Sequence, residues 1–60
     1  MVLRNLETLI NKGNISITEL AEKSEIGTRT LYNIIACRRC TRNNAIRLAK
    51  ALKTTVDKLI

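Results

Sequence analysis

The sequence predicts an all-α fold of five short helices and no strand. Three observations carry that prediction. Apolar residues recur at helical spacing along the 60-residue chain. Helix-start signals stand in front of those stripes. Proline, linkers, low-complexity tracts and internal repeats are absent, so residues 1–60 read as a single domain.

Leu3, Leu6, Leu9 and Ile10 form an i, i+3, i+6, i+7 stripe that predicts a first helix from about residue 2 to 12. Lys12-Gly13-Asn14 then supplies a basic last turn and two residues suited to a left-handed cap. Ser16-Ile17-Thr18-Glu19 matches the capping-box pattern, so Ser16 caps a second helix running to about Ser24. Ile15 and Leu20 occupy the two positions of a hydrophobic staple, and Ala21 suits a close approach of two helix backbones.

A tight turn around Glu25–Gly27 leads to a third helix starting at Gly27 or Thr28. Its wheel turns Leu31, Ile34 and Ile35 inward, sends Arg29, Asn33 and Ala36 outward and leaves Tyr32 on the flank. Residues Cys37 to Asn43 read as a basic loop. A fourth helix covers roughly Asn43–Leu52 and buries Ile46 and Ala49, with Leu48 and Leu52 beside them. The last helix is capped by Thr55 and carries Asp57 in its first turn, where the helix dipole favours an acid. Leu59 and Ile60 must then either close the core or stay exposed as a sticky end.

Size and composition narrow the function. A chain this short is near the lower limit for folding without a staple, and dimerisation would add stability. Its 45% hydrophobic content argues against disorder. No apolar run approaches the roughly 18 residues needed to span a bilayer. The N-terminus is interrupted by charge too early for a secretory signal, which makes the cytoplasm the expected compartment.

The net charge of +6 is unevenly placed. Through Glu25, the chain sets Arg4, Lys12 and Lys23 against Glu7, Glu19, Glu22 and Glu25, a net of −1. Beyond it, eight cations face Asp57 alone, a net of +7. No acid lies between Glu25 and Asp57. That asymmetry fits a polyanionic partner, with an ordinary solvated basic surface as the plain alternative.

Two segments resemble a known family. One is Ile15-Ser16-Ile17-Thr18-Glu19-Leu20-Ala21, followed by Ile26 and Thr30-Leu31-Tyr32-Asn33-Ile34. The other is Ile46-Arg47-Leu48-Ala49-Lys50-Ala51-Leu52, continued by Val56-Asp57-Lys58-Leu59. Together they resemble the phage repressor and Cro-type helix-turn-helix domains, also called the xenobiotic-response-element type, from about Leu6 to Leu59. The resemblance implies a lambda-repressor-like fold with the helix-turn-helix at the second and third helices. It also implies sequence-specific binding of double-stranded DNA by a small bacterial or phage regulator. Such a Cro-like repressor binds a pseudo-palindromic operator as a homodimer, its third helix in the major groove.

The departures from the family are specific. Its glutamine after the capping serine, which touches phosphate, is Ile17 here, so that contact is not carried over. Its turn glycine is Glu25, which costs about 1 kcal/mol if the position needs positive φ. The Glu and Gly that usually follow the recognition helix are Ile35 and Cys37, the loop proline is absent, and the loop is one residue shorter.

On this reading Thr28, Arg29, Tyr32 and Asn33 meet base edges. Arg29 suits guanine O6 and N7, Asn33 suits adenine N6 and N7, and Tyr32 suits a thymine methyl or a phosphate. Arg38, Arg39 and Arg42 suit phosphates or a narrow minor groove, and Thr18, Thr30 and Asn43 suit phosphates near helix N-termini. Thr41 and Asn43 have local capping as their plain reading. Leu59 and Ile60 are the expected dimer contact.

Cys37-x-x-Cys40 supplies only half of a zinc site in a chain without histidine, so no metal is expected and two ordinary reduced thiols are the reading, with a metal shared across two chains and a redox-sensitive loop flanked by arginines as the alternatives. No histidine base, carboxylate pair or phosphate-binding glycine loop is present, so neither an enzyme, a cofactor nor a small-molecule substrate is expected. The competing function is a helical protein-interaction module, an antitoxin or anti-repressor element that docks an acidic partner through the basic face.

Overall fold

A computed structural model describes residues 1–60 and contains five α-helices and no strand. They are α1 (Leu6–Gly13), α2 (Ile17–Ser24), α3 (Thr28–Cys37), α4 (Arg42–Ala51) and α5 (Val56–Leu59). Each helix sends one leucine to the centre: Leu6, Leu20, Leu31, Leu48 and Leu59 are fully buried, and Leu3 joins them from the chain ahead of α1. With no aromatic residue among them, these six leucines form the middle of the core, edged by Ile10, Ala21, Ile26, Ile34, Ala45 and Ala49.

Local chemistry sets where the helices start. The Ser16 hydroxyl accepts the Glu19 N–H at 3.1 Å, and the Thr41 hydroxyl accepts the Asn44 N–H at 3.3 Å. Thr41 therefore caps α4. Thr55 stands at the α5 cap position, but its side chain makes no capping bond.

Four helices end in a left-handed residue, and none of these residues is glycine: Asn14, Glu25, Arg38 and Lys53 have φ of 53°, 58°, 58° and 56°. After α2, Ile26 N–H donates to Ala21 O at 3.2 Å and Glu25 N–H to Glu22 O at 3.3 Å. That bond pair is the Schellman closure, and it recurs after α1 at Asn14–Ile15 and after α4 at Lys53–Thr54. The α3 end takes the simpler form, with Arg38 N–H donating to Ile34 O at 2.6 Å. The left-handed position thus falls on Arg38, one residue beyond Cys37, where the family pattern had put its glycine.

Three expectations need correction. Residues 2–5 are not helical. Instead Val2 bridges Arg39 in antiparallel fashion, Leu3 N–H donates to Arg38 O at 2.7 Å, and Cys40 N–H donates to Met1 O at 3.1 Å. The backbone that helical periodicity assigned to α1 is spent on this clasp. Second, Ile46 is 37% exposed, and the inward positions of α4 are Ala45, Leu48 and Ala49. α4 packs between α2 and α5, and small alanines suit that close contact. Third, Leu59 is fully buried and closes this chain's own core, which removes it as a contact for a second copy. Ile60 remains 48% exposed.

Candidate nucleic-acid interface

α3 buries Leu31 and Ile34 and half-buries Ile35, which fixes the rotation of everything else on it. Thr28, Arg29, Thr30, Tyr32, Asn33 and Ala36 all face outward. Residues four apart stack along a helix, so Thr28 and Tyr32 form one outward row and Arg29 and Asn33 the next. The four residues expected to meet base edges therefore share one open face. Tyr32, the chain's only aromatic residue, is 56% exposed there. Ten residues give α3 a length of about 15 Å. In a molecule measuring 22 × 20 × 17 Å, this helix occupies most of one side.

Gly27 enters α3 without a side-chain cap, and the first in-helix bond is Leu31 N–H to Gly27 O at 2.9 Å. The N–H groups of Thr28, Arg29 and Thr30 are left open at the positive end of the helix dipole. Thr18 lies exposed in the first turn of α2, and Arg42 and Asn43 lie exposed in the first turn of α4. Ile17 is half-buried against the core, so the position that carries a polar phosphate contact in the family is here part of the packing.

Only two ion pairs form: Lys23 with Glu19 at 3.7 Å, and Arg38 with Glu7 at 3.6 Å. Arg29, Arg39 and Arg42 have no carboxylate partner. Arg47 reaches only the Glu25 carbonyl, at 3.4 Å. The loop after α3 is held by the Met1–Leu3 clasp, and its arginines differ: Arg38 leans on α1 while Arg39 points free. Nothing in the local sequence pattern announced the clasp or the Glu7–Arg38 pair, because both join residues more than thirty positions apart.

Both cysteines are free thiols, Cys37 exposed and Cys40 half-buried. Burial pushes the Cys40 thiol pKa up; the terminal ammonium opposes this shift and Cys37 adds to it. No group of three or more potential metal ligands gathers anywhere in the chain. No helix is long and apolar enough to cross a membrane.

A family model described as helix-turn-helix matches residues 6–59. No curated protein and no solved structure matches the chain. The matched span takes in all five helices, and α2 and α3 stand joined by the Glu25–Gly27 turn as that motif requires. The chain belongs to the Cro/C1-type helix-turn-helix family, a non-enzymatic family whose members bind double-stranded DNA as transcription-regulator domains.

Proposed function

We propose that these 60 residues act in the cytoplasm of a bacterium, or of a phage-infected host, as a Cro-like repressor that binds a pseudo-palindromic operator as a homodimer. One observation carries the reading: Thr28, Arg29, Tyr32 and Asn33 share the open face of α3, within the acid-free stretch between Glu25 and Asp57. In the major groove, Arg29 donates a bidentate pair to guanine and Asn33 reads adenine, each discriminating by about 1–3 kcal/mol. Thr28 and Tyr32 complete the readout. Arg39 and Arg42 neutralise phosphates, and Thr18, Thr30 and Asn43 add neutral hydrogen bonds to the backbone beside helix N-termini. Two copies meet partly through Ile60, and repression follows from occlusion of polymerase.

Selecting bound duplexes from a random pool tests this. The expected product is an inverted repeat with half-site centres roughly 34 Å apart. A pool that enriches no sequence overturns it and favours the rival reading, a module docking an acidic protein through the same unpaired cations. Salt adds a second test: a DNA regulator loses affinity steeply with salt yet keeps its preferred site.

A further inference from the structure

Arg38 and Arg39 are adjacent, equally basic and differently employed. Arg38 is fixed from three sides. Its N–H donates to Ile34 O at 2.6 Å, its carbonyl accepts from Leu3 N–H at 2.7 Å, and its guanidinium lies 3.6 Å from the Glu7 carboxylate. With φ held at 58°, the backbone fixes the Cα–Cβ direction from which its half-exposed side chain reaches Glu7. Arg39, bridged to Val2, has no carboxylate within pairing distance. Glu7 sits in the first turn of α1, where the helix dipole favours its negative charge.

We propose that Glu7 is a positioning residue that withholds Arg38 from DNA, so that the loop engages one phosphate fewer than its arginine count suggests. The proposal rests on the DNA-binding reading. Each phosphate neutralised on duplex DNA steepens the dependence of log K on log salt by about 0.9, so the number of arginines engaged can be counted. The Glu7–Arg38 pair is half-exposed on both sides and therefore weak. Glu7 thus tunes affinity without abolishing it: releasing Arg38 tightens binding only about two- to fivefold at low salt.

The test measures binding of the full chain to a random-sequence duplex between about 50 and 200 mM salt. Glu7→Gln steepens the salt slope by about 0.9 and tightens low-salt binding. Glu22→Gln, which removes an exposed acid from α2 away from any arginine partner, shifts affinity through net charge and leaves the slope unchanged. Arg38→Gln alone leaves the slope at its wild-type value, and adding it to Glu7→Gln cancels the gain. The same Glu7→Gln change lowers Tm by about 1–3 °C, since α1 loses a first-turn acid. Loss of any exposed acid raises affinity through net charge, so the salt slope is the readout that a purely structural role of Glu7 does not move. Equal slopes for Glu7→Gln and Glu22→Gln overturn the proposal, as does a flatter slope for Arg38→Gln alone. Absence of salt-dependent duplex binding by the wild type overturns the DNA reading itself.

Discussion

The main-chain N–H of Leu3 donates to the carbonyl of Arg38 across 2.7 Å, joining a fully buried core leucine to the left-handed residue that ends α3. The basic loop is therefore anchored in the hydrophobic core through its backbone. Leu3→Ala should cost about 2–5 kcal/mol in urea unfolding, the range for emptying a buried leucine site. Ile46→Ala, on the exposed side of α4, should stay within about 1 kcal/mol. Equal costs for the two would contradict the rotation of α4 described above.

The helix caps separate in the same assay. Ser16→Ala and Thr41→Ala each remove an observed hydroxyl-to-backbone bond and should cost about 1 kcal/mol. Thr55→Ala removes no such bond, and its midpoint should scarcely move.

Glu25→Gly should stabilise the protein. A residue with a Cβ at φ of 58° carries a conformational penalty that glycine lacks, partly offset by glycine's extra freedom when unfolded. A gain of about 0.5–1 kcal/mol should appear as a Tm rise of roughly 2–8 °C. A fall in Tm would mean that the Glu25 side chain holds the turn in some other way.

On DNA, Arg29→Ala should relax preference at one position of each half-site by about 1–3 kcal/mol. Arg39→Ala should weaken every duplex alike and flatten the salt slope by about one. Competition binding with single-base operator variants distinguishes the two. If Arg29→Ala and Tyr32→Ala both leave base preference intact, α3 does not read bases with this face.

The thiols should differ in reactivity. Alkylation at mildly alkaline pH should label exposed Cys37 before half-buried Cys40, whose pKa burial raises. The sign for stability follows. A pKa raised in the folded chain contributes stability that is full below the unfolded value and lost as pH climbs through the folded one. Removing Cys40 as Cys40→Ser should therefore flatten the alkaline edge of the stability profile, read by urea midpoints across pH.

The helix-turn-helix was legible because its determinants are local. Ser16 and Glu19 lie three positions apart, and the N–H groups of Glu25 and Ile26 that close α2 donate to Glu22 and Ala21. The exposed face of α3 followed from the positions of Leu31 and Ile34 alone. What periodicity could not supply was non-local. Leu3 fits the stripe of α1 and is buried as expected, yet its backbone pairs with Arg38. On α4, Ile46 is the more apolar candidate, but the gaps beside α2 and α5 admit Ala45 and Ala49. The basic loop was visible as a run of arginines; its division between Glu7 and open solvent was not, because that depends on how α1 meets the end of α3.

The left-handed ends of α2, α3 and α4 bear on the protein's lifetime. Glu25, Arg38 and Lys53 each hold a conformation that costs an ordinary residue about 1–2 kcal/mol, in a chain whose size allows only about 3–5 kcal/mol of net stability. Such a molecule opens often when alone. A ligand that binds only the folded form adds about 2.7 kcal/mol at a hundredfold excess over Kd, comparable to the whole margin. Copies bound to DNA should thereby resist proteolysis longer than free copies, so that DNA occupancy sets how long a folded copy persists.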